Sequence, residues 1–599
     1  MKLPTPDTAA ENERGFTFGN FRLEPDGSLL LGGKPVHVPP KEMAALQLLL
    51  ERAGQIVTPV QLREALWGEL HVTADSVPRC ISSLRACLGS EECIQTVYKR
   101  GYRLTWPVQR DYGAHAWNLP RLAIVPFALD RNVPEHLGRA VAEEATARLT
   151  AVRPPLFSML ARDSVFTLAG KGMSAQQVGQ TLRADLVLAG TLHALPAHLR
   201  LRVEMIRIRD GTQIWVEDMM VARERAAGLE LELVDRLTFR AGGGLSLAAA
   251  ADDNPVFDAE AYEIFLRGRY EWQSLERHRM QDGMRLLRRA AELEPKLAQA
   301  RLDLVHALLT QELLGFLSPA EAAQQVRSTV EAMPPDAEQS AQMLPALGWM
   351  AFHVDHDLAS ALRMVSPAPH APFTPWRVRM EAMLAASRHR FDELCRLLQQ
   401  AREADAFSPW VNAELAWAYH LSSRRDEALR QVERCLELDP DHFATRLYGG
   451  MILAFQGDVT RATGLTRQLA RSLPYCDIAM AAHAYSLACD GQRERAGELL
   501  EGLQWLSRER FVLRSFSAAA YVALGDADGA MEELRAAEEN HCPWFFAMLA
   551  DPRLQLLERI SEFEQMRARL AAMEEIAAQG VRNENGGLGT ARDKSKRID

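Results

Sequence analysis

The chain has 599 residues, a formal net charge of −10 and eight cysteines. That length calls for several domains, and the negative total excludes whole-molecule charge as the force that would draw the chain to a polyanion. The cysteines show no C-x-x-C or other paired spacing, which argues against a disulfide framework or a zinc site and for reduced thiols. Residues 1–14 are polar and read as disordered. Their opening, Met-Lys-Leu-Pro-Thr-Pro-Asp, has no apolar h-region, so no signal peptide is expected. Apolar runs such as 245–251 fall far short of the ~18 residues a membrane span needs. A cytoplasmic chain without membrane association is the expectation. Short strands are expected at 16–22, 29–31 and 36–38, around Asp26-Gly27 and Gly32-Gly33 turns. A helix over 41–52 turns Met43, Leu46, Leu49 and Leu50 inward, and Gly54 ends it. Thr58-Pro59 opens a second helix with Leu62, Leu66 and a core Trp67.

The next stretch is the most informative. Asp75-Ser76 starts a helix, with Pro78 in its first turn, where a missing N–H is tolerated. Val77, Ile81, Leu84 and Leu88 form one apolar stripe, and Gly89 closes the helix. Ser76, Arg79, Ser82, Ser83 and Ala86 fall on the opposite face. That face is small and polar, and it suits a DNA major groove. Residues 94–104 then read as a hairpin with Lys99-Arg100-Gly101 at its tip. From Arg14 to Pro107 there are eleven Lys/Arg against nine Asp/Glu, a local excess of two positive charges in an acidic chain.

The runs Ser-Val-Pro-Arg-Cys-Ile-Ser-Ser-Leu-Arg-Ala-Cys-Leu-Gly (76–89) and Ile-Gln-Thr-Val-Tyr-Lys-Arg-Gly-Tyr-Arg-Leu (94–104) resemble the recognition helix and wing of the OmpR/PhoB-type winged-helix domain. Phe-Gly-Asn-Phe-Arg-Leu (18–23), Val-Pro-Pro-Lys-Glu (38–42), the run at 48–58 and Leu-Trp-Gly (66–68) extend the match upstream. The resemblance implies a DNA-binding domain over 15–108, with the helix in the major groove and the wing in the minor groove. Arg79, Ser82 and Ser83 are the expected base readers; Arg85, Lys99, Arg100 and Arg103 are the expected phosphate contacts. Ser76 on the helix and Thr96 on the hairpin are counted with them. Cys80 and Cys87 read as buried small hydrophobes, with a redox switch as the alternative.

Residues 109–118 read as a polar linker. The continuous apolar run 121–127 suits a buried strand, followed by a helix at 141–149, a strand at 156–160 and a Ser174-capped helix to Leu182. Segments 186–195 and 199–208 read as a hairpin turning near Pro196, and 211–215 as a further strand. This α/β pattern over 119–250 resembles the TolB-N-terminal-like domain, which brings no catalytic residues. From residue 259 the chain turns helical and repetitive. Ala428, Ala462, Ala496 and Ala530 are each 34 apart, as are Pro440 and Pro474. That is the tetratricopeptide (TPR) period, so 259–574 resembles a TPR array closed by the cap Asp-Pro-Arg-Leu-Gln-Leu-Leu (551–557). Residues 579–599 are Gly-rich and charged and read as a disordered tail.

Catalytic patterns are sparse. Ala169-Gly-Lys-Gly-Met-Ser174 fails the phosphate-binding loop pattern. His353-Val-Asp-His-Asp357 has two histidines and two acids, but a helix-turn region commonly turns such residues to solvent. No nucleophile elbow, zinc helix or Walker pattern occurs, so no metal, no cofactor and no enzyme activity are expected. The fold expected is multidomain: winged helix-turn-helix, α/β domain, all-α TPR superhelix. The whole resembles the HilA-like regulators, which implies a transcriptional regulator of double-stranded DNA acting with RNA polymerase. A protein or peptide is expected on the TPR groove, at Asn412, Trp417, His420, Tyr448 and Met451, with homo-oligomerisation as the other use of the repeats. The alternative is a TPR interaction scaffold with little DNA-binding role; a signalling enzyme built on the α/β domain is the third class.

Overall fold

The computed structural model describes residues 15–591 apart from 19–20, 24–27, 32–33, 37, 52–56, 68–75, 89–92, 98–99, 107, 112–118, 153–154, 223–227, 242–257, 334–336 and 366–374. The expectations for residues 1–14, 592–599, Gly54, Gly89, Lys99 and the Trp67 side chain lie outside the described residues.

Alternating apolar side chains build the first sheet. Phe16 and Phe18 on β1 (Gly15–Phe18) and Phe21 and Leu23 on β2 (Phe21–Leu23) are all buried. The chain continues through β3 (Leu29–Leu31), β4 (Lys34–Val36), helices α1 (Pro40–Glu51), α2 (Pro59–Trp67) and α3 (Ser76–Leu88), then β5 (Ile94–Val97), β6 (Gly101–Leu104) and β7 (Val108–Asp111). Five strands form an antiparallel sheet in the order β4-β3-β2-β1-β7. Strand β7 corrects the expectation of an irregular linker from residue 109. It pairs in register with β1, from Phe18↔Val108 to Gly15↔Asp111. Val-Gln-Arg-Asp shows no apolar alternation, so periodicity cannot reveal it; the second edge of β1 recruits it by backbone hydrogen bonding. Leu46, Leu49 and Leu50 of α1, Leu62 of α2, Ile81 and Leu84 of α3, and Ile94 and Leu104 of the hairpin share one apolar core.

The second unit begins with an α/β layer: β8 (Arg121–Ile124), β9 (Ala128–Leu129), α4 (Glu135–Ala151), β10 (Ser158–Met159), α5 (Arg162–Gly170), α6 (Ala175–Leu182), β11 (Leu186–Ala194), β12 (His198–Arg207), β13 (Thr212–Ala222) and α7 (Leu229–Arg240). The sheet order is β10-β8-β11-β12-β13, with β9 beside β11. Strand β11 runs parallel to β8 and antiparallel to β12, so the expected hairpin sits on a parallel pair. Strand β13 outruns the expected 211–215: Trp215 and Met219, four residues apart on one face, are both buried along it. The Gly-Lys-Gly run is the turn between α5 and α6. Ser174 forms a capping box with Gln177, and Lys171 Nζ donates to Glu437 O at 2.9 Å.

Antiparallel helix pairs follow from Ala259–Trp272 and Arg277–Leu293 to Ser515–Leu524 and Ala527–Glu539. Ala428, Ala462, Ala496 and Ala530 are each the fourth residue of a pair's second helix and each is fully buried. Gly450 has the same packing role: a Cβ there would stand 2.5 Å from Thr466 Cγ2. The last helix, Ser561–Ala591, corrects the expectation of a disordered tail from residue 579. Phe563, Met566 and Leu570 bury its first turns. A helix nucleated by packing continues through glycines at only about 1 kcal/mol each.

Two further expectations change in this array. His353 does not face solvent: it is 2% exposed, its Nδ1 donates to Trp349 O at 2.6 Å, and Nε2 meets Glu312 Oε1. Among the described residues no group of three or more His, Cys, Asp or Glu stands together to hold a metal. The expected groove residues Asn412, Trp417, His420, Tyr448 and Met451 are buried. Trp417 stacks on Tyr448 at 5.3 Å, and the cap's own Arg553 lies 5.2 Å over Trp417 and 4.9 Å over Tyr485. His420 Nε2 lies 3.2 Å from Asp551 Oδ1. The chain's own cap therefore covers Trp417 and His420. Among the described residues no helix is long and apolar enough to cross a membrane.

Candidate nucleic-acid interface

Helix α3 is amphipathic in the way its sequence dictates. Val77, Cys80, Ile81, Leu84 and Leu88 are buried. Pro78, Arg79, Ser82 and Ala86 are exposed on the other side, and Ser76, Ser83 and Arg85 are half-buried at its margins. Burial pushes the Cys80 thiol up to about 11 and raises that of Cys93. Both thiols stay protonated at neutral pH, which fits Cys80 as a small hydrophobe better than as a redox sensor; Cys87, expected to be buried with it, is half-buried.

The hairpin is fastened on both sides. Strands β5 and β6 pair from Ile94↔Leu104 to Val97↔Gly101. On the β6 side, Val57 N donates to Tyr102 O at 2.8 Å and Tyr102 N donates to Val57 O at 2.9 Å. This approach needs glycine next door. Gly101 has φ of +143°, and a Cβ there would stand 2.1 Å from Val57 O. Just beyond, Thr58 and Gln61 cap α2 reciprocally, at 3.0 and 3.3 Å. On the β5 side, Arg85 donates to Ile94 O from Nε at 3.1 Å and from Nη2 at 2.5 Å, and from Nη2 to Thr96 Oγ1 at 2.8 Å.

The remaining expected site residues divide by environment. Arg100 is exposed at the turn, which its own N–H closes by donating to Val97 O at 2.9 Å. Arg103 is half-buried, and its Nη2 donates to Gln95 Oε1 at 2.6 Å across the hairpin. Thr96 is exposed beside Arg85. Arg79, Ser82, Thr96 and Arg100 thus face solvent, while Arg85 and Arg103 are engaged by neighbouring residues. Reasoning from sequence missed Val57 and Gln95. Counting back from the turn glycine places Gln95 opposite Arg103; nothing in the sequence marks Val57.

Comparison with known proteins agrees with this geometry. Residues 33–104 match the family described as "Transcriptional regulatory protein, C terminal". Transcriptional regulator HilA of Salmonella typhimurium is 23% identical over 509 residues, covering 83% of this chain and 84% of that protein. Transcriptional regulatory protein QseB of Escherichia coli O157:H7 is 38% identical over 89 residues, 14% of this chain and 40% of that protein. Putative adenylate cyclase 3 of Rhizobium meliloti is 24% identical over 39% of this chain and 40% of its own length. The chain carries an OmpR/PhoB-type winged-helix DNA-binding domain at its N-terminus and is homologous over most of its length to the HilA-like transcriptional regulators.

Proposed function

We propose that α3 lies in the major groove of a promoter element, with Arg79 and Ser82 toward base edges and Ser76 and Ser83 at the groove margins. Arg100 at the wing tip, with Lys99 and Arg103 beside it, neutralises phosphates. The observation that carries this reading is the juxtaposition of an exposed small-polar face on α3 with a cationic hairpin tip anchored to the same core. The reader acts on chromosomal DNA in the cytoplasm, and its output reaches RNA polymerase. Selection from random duplex DNA with the full chain tests it. Enrichment of a defined sequence whose binding weakens with salt is the expected result; recovery of no sequence, or salt-independent binding, would overturn it.

We infer a regulator without catalytic activity, supported by the HilA likeness over most of the chain. The partial likeness to a putative adenylate cyclase is the one observation favouring an enzyme. Turnover of a nucleoside triphosphate by the full chain, abolished with the α/β domain's integrity, would establish that second reading.

A further inference from the structure

The structure assigns Arg85 to holding the wing against the recognition helix, as a positioning residue rather than a phosphate contact. A two-stranded hairpin is marginal alone and needs a further strand or a helix to hold it. Here β6 has the backbone bridge to Val57, while β5 has β6 as its only strand partner among the described residues. Arg85 supplies the support on the β5 side. Its Nε and Nη2 both donate to Ile94 O, and Nη2 also donates to Thr96 Oγ1. The planar fork meets a main-chain carbonyl and a hydroxyl together, which one ammonium on a flexible stem does not reproduce. The side chain that leaves α3 one turn before its C-terminal end is thereby spent inside the domain. What it contributes to DNA binding is the placement of Arg100, four residues beyond Thr96 at the hairpin tip.

This rests on the proposed DNA interface, so its test separates the two. Hydrogen exchange of the peptide covering 94–104 in the free, full chain needs no DNA. Arg85→Met and Arg85→Lys should both speed exchange there; unchanged exchange would overturn the assignment whatever DNA binding does. Affinity is then measured on a short duplex of the sequence that the full chain selects from random DNA. Both Arg85 variants should weaken binding by on the order of ten-fold. Arg100→Ala should lose much less affinity in the Arg85→Met background than in the native one, because the tip is no longer placed. A phosphate contact behaves oppositely: Arg85→Lys binds almost as the native chain does, and the two losses add, and either result would overturn the assignment. If Arg100→Ala is silent in the native chain, the interface reading fails on its own, and exchange still decides whether the tether exists.

Discussion

At the scale of single residues, the exposed cations of the winged helix divide by what they have left to offer. Arg100 is exposed, and its backbone closes the hairpin turn. Arg100→Ala should weaken binding nearly equally on all sequences and lower the salt slope by about one. Titration at several salt concentrations checks this, and an unchanged slope would remove the wing from the interface. Arg79 projects from the exposed face of α3. Arg79→Ala should change sequence preference, with a loss of roughly 1–3 kcal/mol confined to the selected site. Equal losses on selected and random DNA would make Arg79 a phosphate contact instead. The apolar stripe of α3 was legible because it is a local, periodic signal: Val77, Ile81, Leu84 and Leu88 are all buried where the sequence puts them. The partners of Arg85 were not, since a guanidinium leaving a helix bonds whichever strand folds beside it; Gln95 opposite Arg103 is legible only once the hairpin register is counted from Gly101.

At the scale of elements, the same contrast recurs. The 34-residue spacing of the alanines announces a helix pair whose second member needs a small fourth residue, and each of those alanines is fully buried. Strand β7 carries no such signal, because backbone pairing with β1 is indifferent to its side chains. The cap was legible as a terminator but not as the cover over Trp417 and His420. Asp551 and Arg553 are 3% and 5% exposed and joined at 2.8 Å, under the rings of Trp417 and Tyr485. Burial works against ionisation of Asp551, but Arg553 and His420 outweigh it and hold the carboxyl below its ordinary range. Arg553→Ala strips a buried carboxylate of its main counter-ion, so it should destabilise the array by about 3–5 kcal/mol. Urea unfolding of the full chain measures this. A loss below 1 kcal/mol would mean that the cap is a loose lid over a usable groove.

At the scale of the whole second unit, the α/β layer is joined to the repeats by buried ionisable groups, and each contributes a pH dependence whose sign follows from the direction of its shift. Tyr262 of the first repeat donates to Glu230 Oε1 on α7 at 2.9 Å. Arg148 Nη2 lies 3.9 Å from the same oxygen, and Glu144 bridges Arg148 at 3.1 Å and Arg269 at 3.0 Å. Burial, with Glu144 adding to it and Arg148 opposing, pushes the Glu230 carboxyl from 4.5 up to about 7. Farther along, Ser164 N donates to Asp405 Oδ1 at 3.1 Å, and burial next to Asp163 raises that carboxyl to about 6. In both cases the native state holds a proton that the unfolded chain has already released. Their stabilisation is therefore complete below the unfolded value and is lost as pH rises through the native one. Buried histidines pull the other way: burial depresses His306, His442 and His483 to about 4, so the unfolded chain takes up their protons first as pH falls toward and below 6.5. Between pH 8 and 6.5 the histidines and Glu230 therefore work against each other, and the part owed to Glu230 is the difference from a variant that lacks its titration. Over that interval, urea unfolding of the full chain should show the native second unit gaining about 1 kcal/mol on acidification relative to Glu230→Gln. Glu230→Gln keeps an acceptor for Tyr262 and removes the titration, while the histidine contribution is common to both chains and cancels in the comparison. If the glutamine variant keeps the native slope, Glu230 is already ionised in the folded chain and the junction's acid response must come from elsewhere.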